Sequence, residues 1–414
     1  MFEHGGTVLA AARRYGIAPE EWLDLSTGVN PRGWPVPELP PEVWRALPQG
    51  EDGLAEVAAE YYASPLPLPV AGSQAATQAL PALRPPCRVG IPALSYGEHA
   101  RAWARHGHRV TLLAPEGLVQ AAEGCEVLVV CNPDNPSGRR IPAAVLLDWR
   151  TRMARRGGWL VVDEAFADAD PGDSLARRAG LPGLVVLRSL GKFFGLAGVR
   201  VGFILAWPEL LLRLEELLGP WSVSGPGRRV AAAALGDRDW QADARVRLRH
   251  DSQRLAALLA RHGLASAGAT ELFQWVVTGQ AAALHESLAR QAILTRFFAR
   301  PASLRFGLPE EEADWQRLER ALIRNAKRPR PSPPGGRARR EGERQSPSPL
   351  PEPERRESAC PEEPQCPQKL NEGATAFRPW GCCACCWPCR PGPRSACGTT
   401  PATWCAWHSR PGAS

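Results

Sequence analysis

One lysine set between two apolar runs constrains the fold of this chain more than any other feature. Lys192 ends a Ser-Leu-Gly-Lys segment that follows the apolar run at residues 183–187 and precedes another at residues 199–205. Runs of this length and composition predict buried strands. A lysine at their junction is partly desolvated, and burial lowers the pKa of an amine below its usual value of about 10.4. Lys192 is therefore a candidate nucleophile toward an aldehyde.

Two residues near Lys192 indicate which aldehyde it meets. Ser189 supplies a hydroxyl and Arg200 supplies a fixed cation, and both groups are suited to holding a phosphate. An aldehyde cofactor that carries a phosphate is pyridoxal 5'-phosphate, which we predict this chain to bind. The alternative is a serine acyl-enzyme, because Ser-x-x-Lys also occurs there, but the sequence lacks the further Ser/Lys motifs of those enzymes.

Two polar residues follow other predicted strands. Asp163 ends the apolar run at residues 159–162, where a buried carboxylate needs a cation. The protonated pyridine nitrogen of the cofactor is such a cation, and the pairing keeps the ring an electron acceptor. Asn135 lies in a Pro/Gly-rich turn after residues 127–130, where its amide can donate to the ring oxygen. The alternatives are a helix-capping Asp and an ordinary turn.

Further candidates lie near predicted helix starts. Gly72, Ser73 and Gln74 precede the helical stretch at residues 75–83, where backbone N–H groups and the helix dipole attract an anion. This pattern predicts the other half of a phosphate site, with a plain Ser N-cap as the alternative. Tyr96 is the aromatic residue that we expect to stack on the pyridine ring, with core packing as the alternative.

The joint order and spacing of these motifs resemble the fold-type I pyridoxal-phosphate enzymes, the aspartate aminotransferase superfamily, over roughly residues 3–327. The resemblance implies that Lys192 forms the Schiff base and that Asp163 pairs with the pyridine nitrogen. It also implies that Asn135 contacts the ring hydroxyl and that Tyr96 stacks on the ring. The residues that it assigns to the cofactor phosphate are Gly72, Ser73, Gln74, Ser189 and Arg200.

The first thirty residues narrow the resemblance. The His4-Gly5-Gly6 segment, and the later segment from Ser26 that ends in Asn30-Pro31, resemble the opening of the threonine-phosphate decarboxylases of cobalamin biosynthesis. The resemblance implies that His4, Gly5, Gly6 and Asn30 line the substrate pocket. A Gly-Gly pair allows backbone N–H groups to approach an oxyanion closely, whereas without the family the segment would be an ordinary chain terminus.

Two arginines near the end of the predicted fold complete the candidate site. Arg296 and Arg305 lie in two short predicted strands at residues 291–296 and 302–307. By resemblance, Arg305 binds the substrate α-carboxylate and Arg296 faces a substrate phosphate. A charge-assisted contact of this kind is worth roughly 1.5–3 kcal/mol. A surface role is the alternative for Arg296.

Three positions depart from the patterns of relatives. Phe166 stands where many aminotransferases, including the histidinol-phosphate enzymes, have a tyrosine, and the phenylalanine form resembles the decarboxylases. Thr7 replaces the asparagine that usually follows His-Gly-Gly. Leu47 stands where relatives have a tyrosine whose hydroxyl reaches the cofactor phosphate of the neighbouring subunit, so that contact is in doubt, although a homodimer is still expected.

Alternation of predicted strands and helices indicates an α/β fold with a mainly parallel sheet. The predicted helices lie at residues 144–156, 209–218, 252–262 and 310–326. The resemblance implies a large domain with a seven-stranded, mainly parallel sheet and a small α/β domain built from both ends of the chain. The expected segments are residues 1–44 and 241–327 for the small domain, 45–240 for the large domain and 328–414 for a tail.

The tail differs in composition from the rest of the 414 residues. It is rich in Pro and Arg and then in Cys and Trp, which predicts disorder because too few periodic apolar residues remain for a core. A soft-metal site is the alternative, as is an out-of-frame extension of the gene. Its cysteines are Cys360, Cys366, Cys382, Cys383, Cys385, Cys386, Cys389, Cys397 and Cys405.

The net charge and the hydropathy of the sequence restrict the classes of binding partner that we expect. The net charge of +7 suits anionic ligands, but without a basic helix we expect no nucleic acid. No apolar run resembles a signal peptide or a transmembrane helix, so we expect a cytoplasmic protein with no membrane partner. Cys87, Cys125 and Cys131 have no metal-binding spacing, and we expect no metal in this part of the chain. His106 and His108 are expected to be solvated.

The resemblance leads to one leading function and two alternatives. The leading function is decarboxylation of L-threonine O-3-phosphate to (R)-1-amino-2-propanol O-2-phosphate and carbon dioxide, with the phosphorylated amino acid as the small-molecule partner. The alternative enzyme is a histidinol-phosphate-type aminotransferase. The alternative from another class is a non-catalytic pyridoxal-phosphate-fold binding protein.

Overall fold

Short apolar segments separated by helices form the central sheet of the protein. The computed structural model describes residues 5–65 and 67–326. The sheet has seven strands, in the order β2-β8-β7-β6-β5-β3-β4. They are β2 (Leu68–Val70), β3 (Arg88–Pro92), β4 (Arg109–Leu113), β5 (Val127–Cys131), β6 (Trp159–Asp163), β7 (Leu184–Ser189) and β8 (Gly202–Leu205).

The sheet is mainly parallel, as expected. Strands β4, β3, β5, β6 and β7 pair in parallel, whereas β8 is antiparallel to both β7 and β2. In β5, Val127 and Val129 pack into one hydrophobic cluster, while Leu128 and Val130 pack into the other. Because side chains alternate along a strand, such a strand needs apolar residues at every position when both faces are covered.

A second sheet joins the two ends of the described chain. Its five strands follow the order β1-β11-β12-β10-β9, with β1 parallel to β11 and the other pairs antiparallel. The domain boundaries given above remain a prediction. The five strands are β1 (Leu23–Leu25), β9 (Gly268–Thr270), β10 (Phe273–Val277), β11 (Ile293–Ala299) and β12 (Ala302–Gly307).

Helices lie between the strands and agree largely with the sequence pattern. The helix predicted at residues 252–262 is only the end of a longer helix, α10, and the strand predicted at residues 199–205 begins later, because Arg200 has a positive φ of 57°. The helices are α1 (Val8–Tyr15), α2 (Glu42–Arg45), α3 (Leu54–Tyr62), α4 (Ser73–Ala79), α5 (Gly97–Arg105), α6 (Leu118–Gly124), α7 (Ala143–Ala154), α8 (Pro208–Leu218), α9 (Gly225–Gly236), α10 (Arg238–Arg261), α11 (Ala281–Ala289) and α12 (Glu312–Ala326).

One expectation about histidines was wrong. His108 is only 5% exposed, because its ring accepts a hydrogen bond from the Cys87 backbone N–H at 3.2 Å and its other nitrogen lies 3.0 Å from the Pro81 carbonyl oxygen. His106 is exposed, as expected. The predictions for His4 and for the cysteine-rich tail concern positions that lie outside the described residues. Among the helices of residues 5–65 and 67–326, none is long and apolar enough to cross a bilayer.

Candidate active site

Three parallel strands end at one edge of the large sheet and bring the predicted site residues together. Asn135 follows β5, Asp163 ends β6, and Lys192 follows β7. The register pairs Asp163 with Cys131 on one side and with Leu187 on the other. The carboxyl ends of parallel strands are a recurrent place for ligand sites in open α/β sheets.

Lys192 lies where two neighbouring cavities meet. The inner cavity lies against the strand ends and the outer cavity opens toward the second sheet, and Lys192 lines both. Burial, with the nearby Arg305 and Arg200 guanidinium groups, lowers the pKa of Lys192 to about 8, while Asp163 opposes the shift. The amine also lies 5.5 Å from the centre of the Phe166 ring. About a tenth of the amine is therefore neutral and nucleophilic at pH 7, far more than for an unperturbed lysine.

Asp163 has a partner that the sequence analysis missed. Its Oδ2 lies 2.8 Å from Nε2 of His99, and its Oδ1 accepts a hydrogen bond from the Ala165 backbone N–H at 3.0 Å. Asp163 is 6% exposed and His99 is 2% exposed. Together with Cys131, they form a group of possible metal ligands within 4.8 Å in the described part of the chain. The pairing orients the carboxylate toward the inner cavity, which Asp163 lines.

Asn135 connects the two cavities. It lines both, and its Oδ1 accepts a hydrogen bond from Nη1 of Arg305 at 2.5 Å. This contact fixes the orientation of the amide, because the oxygen must face the guanidinium. The Nδ2 donor then lies at the other corner of the amide, which suits the predicted donation to a ring oxygen.

Tyr96 lines both cavities and belongs to a hydrogen-bonded group. Its hydroxyl donates to Oε1 of Gln74 at 3.1 Å, and its ring meets the His99 ring edge-on, with centroids 5.8 Å apart. Burial and the nearby carboxylates of Asp163 and Glu98 raise the pKa of Tyr96 to about 12. The tyrosine therefore remains a neutral donor over the physiological range, and its stacking role remains a prediction.

Four of the predicted phosphate residues line the inner cavity. They are Ser73, Gln74, Ser189 and Arg200. Gly72 lies beside them with a φ of 72°, and a Cβ added there would lie 2.5 Å from Nη2 of Arg200. Only glycine therefore lets the guanidinium approach this turn so closely. Together with Lys192 and Asp163, which line the same cavity, this donor set fits pyridoxal 5'-phosphate.

Two arginines face each other across strands of the second sheet. Arg296 on β11 pairs in register with Arg305 on β12, and both line the outer cavity. Arg305 is 5% exposed, donates from Nη2 to the Ser26 carbonyl oxygen at 2.7 Å, and has a buried Nε with no hydrogen-bond partner among the described residues. Burial and the charge of Arg296 lower the pKa of Arg305 to about 10. Adjacent cations of this kind are suited to an anionic ligand.

Gly5, Gly6 and Asn30, which were all predicted to line the substrate pocket, make different contacts. Gly5 lines the outer cavity, and its backbone passes so close to Ser26 that a Cβ would lie 2.4 Å from the Ser26 carbonyl oxygen. The backbone N–H of Gly6 donates to Oγ of Ser26 at 2.8 Å. The Nδ2 of Asn30 donates a hydrogen bond to the Phe193 carbonyl oxygen at 2.9 Å, and the expected contact of Asn30 with substrate remains a prediction. Asn30 therefore supports the lysine loop from behind.

The outer cavity has a volume of about 240 Å³, enough for a small metabolite. Glu98 and Arg101 also line it and were not among the residues predicted from the sequence. No local sequence pattern distinguishes them from other charged residues on the exposed face of a helix.

Phe166 is buried and packs edge-on against Phe273, with ring centroids 5.3 Å apart. The tyrosine hydroxyl that many aminotransferases have at this position is therefore absent here.

The sequence of this chain is similar to those of known proteins. The family described as aminotransferase class I and II matches residues 48–318. The threonine-phosphate decarboxylase of Pseudomonas aeruginosa is 52% identical over 323 residues, which cover 78% of this chain and 98% of that protein. The threonine-phosphate decarboxylase of a Sinorhizobium species is 42% identical over 331 residues, covering 78% and 97%.

A solved structure shows the same fold. The histidinol-phosphate aminotransferase from Sinorhizobium meliloti, in complex with pyridoxal-5'-phosphate, superposes with a TM-score of 0.66. It is 21% identical, and the match covers 79% of this chain and 98% of that one. At this identity the likeness concerns the fold.

Proposed function

Because this chain belongs to the aminotransferase class I and II family, we propose that it decarboxylates L-threonine O-3-phosphate with pyridoxal 5'-phosphate as its cofactor. The products are (R)-1-amino-2-propanol O-2-phosphate, which enters cobalamin biosynthesis, and carbon dioxide. The observation that carries the proposal is the pairing of Arg296 with Arg305 beside Lys192, since it suits a substrate with two anionic groups. The relative that is 52% identical over 98% of its length supports this substrate.

The inner cavity would hold the cofactor. Asp163, oriented by His99, would face the pyridine nitrogen, and Asn135 would donate to the ring oxygen. Ser189 and Arg200 would bind the phosphate together with the turn at residues 72–74. When bound, pyridoxal phosphate supplies an electron-accepting ring for bonds at the substrate Cα.

The outer cavity would orient the bond that breaks. Arg305 binds the α-carboxylate, and its own position is fixed by Asn135 and by the Ser26 carbonyl oxygen. Arg296 binds the phosphate, so the substrate is held at both ends and its Cα–carboxylate bond is kept in one direction. Orientation of this kind contributes several kcal/mol to catalysis.

Lys192 is positioned to transfer the proton that decarboxylation requires at Cα. Decarboxylation breaks the Cα–carboxylate bond, releases carbon dioxide and requires one proton at Cα. The pKa of Lys192 near 8 lets the amine take up and return a proton at neutral pH. The amine lines both cavities and is thus close to both ligands.

The competing function is a histidinol-phosphate-type aminotransferase. Phe166 argues against it, because the tyrosine hydroxyl of those enzymes is missing and the position is filled by packing on Phe273. A non-catalytic binding protein would hold pyridoxal phosphate through the same lysine, so turnover is the property that separates it from an enzyme.

One assay separates these functions. The purified chain, loaded with cofactor, is given L-phosphothreonine, and released carbon dioxide is measured beside keto-acid formation. Carbon dioxide without keto acid is the expected result, keto acid would indicate the aminotransferase, and neither product would indicate a binding protein. Arg296→Ala should reduce kcat/KM for phosphothreonine by at least tenfold and leave cofactor binding intact.

We also propose that the protein is a cytoplasmic homodimer. Leu212 and Trp221 are each 60% exposed on the wall of one surface groove, and apolar surface of this kind is typical of an interface between subunits. Light scattering should give twice the mass of the chain, and Trp221→Asp should shift the protein toward the monomer.

A further inference from the structure

Helix α5 contributes a third arginine to the outer cavity. Arg101 lines this cavity together with Lys192, Arg296 and Arg305. Arg296 and Arg305 come from the second sheet, whereas α5 packs against strands β3 and β4 of the large sheet. Cations from two different layers of the fold therefore meet at one small cavity.

Arg101 is held in place by a carboxylate of its own helix. Its Nη1 donates to Oε1 of Glu98 at 2.5 Å, and the two side chains are 26% and 12% exposed. The other oxygen of Glu98 lies 3.5 Å from Nε2 of Gln74, whose Oε1 accepts the hydroxyl of Tyr96. The guanidinium is thus connected through two side chains to a tyrosine that lines both cavities.

The described residues that line the outer cavity carry more positive than negative charge. They include three guanidinium groups and one carboxylate, that of Glu98. Even with a neutral Lys192, the excess is two positive charges. A phosphorylated amino acid brings one negative charge on its carboxylate, about 1.5 to 2 on its phosphate at pH 7 and one positive charge on its ammonium, so its net charge of about −1.5 to −2 matches this excess.

We infer that Arg101 is a substrate-binding residue that contacts the phosphate of the phosphorylated amino acid, with Glu98 as its positioning residue. The inference rests on the proposed function for the identity of the substrate. Arg305 binds the carboxylate, and Arg101 and Arg296 bind the phosphate from the two layers of the fold. Arg101 thereby makes the site selective for phosphorylated over unphosphorylated amino acids.

The test compares two substitutions on the same helix. Arg101→Gln removes the charge at the cavity, and Arg105→Gln removes an exposed charge one turn later, where the guanidinium contacts Gln78. Full-length proteins loaded with cofactor are mixed with L-phosphothreonine or with L-threonine at a series of concentrations, and the rapid absorbance change of the cofactor before turnover reports Kd. Arg101→Gln should raise the Kd for phosphothreonine at least tenfold, change the Kd for threonine less than twofold, and be partly rescued by Arg101→Lys. Arg105→Gln should change neither.

Two results would overturn the inference. An unchanged Kd for phosphothreonine in Arg101→Gln would exclude the contact, and an equal loss for both amino acids would indicate a structural role. If the unmodified chain binds phosphothreonine without releasing carbon dioxide, the proposed reaction fails, whereas the selective loss in Arg101→Gln would still support the contact. If the unmodified chain does not bind phosphothreonine, both proposals fail.

Discussion

Replacing Lys192 by methionine is expected to stabilise the cofactor-free protein, although it removes the reactive amine. The amine lies among Arg305, Arg200 and the Phe166 ring, and burial is the main reason that its protonated form is disfavoured. The Asp163 carboxylate favours the protonated form, but it offsets only part of this destabilisation. A methionine side chain has a similar length and carries no charge, so it avoids the cost of a buried cation.

The magnitude follows from the pKa of Lys192 in the two states. It falls from 10.5 in the unfolded chain to about 8 in the folded protein. Each unit of pKa corresponds to about 1.4 kcal/mol, so the protonated lysine costs the folded state about 3 kcal/mol as an upper limit. Below pH 8 both states are protonated and the cost is complete. Between pH 8 and 10.5 the unfolded chain binds more protons, so the free energy of unfolding rises with pH and the cost disappears.

The assay is urea unfolding of the cofactor-free protein at pH values from 7 to 10, with tryptophan fluorescence as the signal that is monitored. Lys192→Met should exceed the unmodified protein in free energy of unfolding at pH 7, and this advantage should shrink steadily above pH 8. Arg105→Gln, an exposed substitution, should show no such pH-dependent difference. An advantage that is constant across the pH range would refute the reasoning, because it would reflect packing and not charge.

Three more predictions concern the cofactor site and the tail. His99→Asn should weaken cofactor binding about tenfold, because Asp163 loses its partner at 2.8 Å, and equilibrium dialysis measures this. Gly72→Ala should cost about 1–3 kcal/mol in folding, since its φ of 72° and ψ of 155° suit only glycine, and calorimetry of the cofactor-free protein checks this. A chain ended at residue 327 should keep its carbon dioxide release, because the Pseudomonas relative aligns over 98% of its length with 78% of this chain; loss of activity would show that the tail is needed.

The sequence predicted what depends on local pattern. Strands β5, β6 and β7 were recognisable because they are buried on both faces and are therefore apolar at nearly every position. The placement of Asp163 and Lys192 at strand ends followed directly, since parallel strands bring their carboxyl ends to one edge. The family was confirmed by the match at residues 48–318.

The sequence could not predict contacts between distant segments. His99 is an ordinary helical residue until the fold brings it to Asp163, and Arg101 gains its significance only when β11 and β12 approach α5. Asn30 is a further example of such a contact. Its motif was recognised, but its side chain bonds to the main chain at Phe193, which no local pattern indicates.

The segment from Leu23 to Asn30 explains why both ends of the chain are needed for one site. It pairs β1 with β11, which carries Arg296, and its Ser26 carbonyl oxygen accepts Nη2 of Arg305. The Asn30 backbone N–H donates to the Lys192 carbonyl oxygen at 2.9 Å. The same short segment therefore sets the positions of both substrate arginines relative to the lysine. Because it does so through main-chain groups, a shift of the segment would move the arginines and the lysine loop together, and substitutions of its side chains alone would leave that spacing largely unchanged.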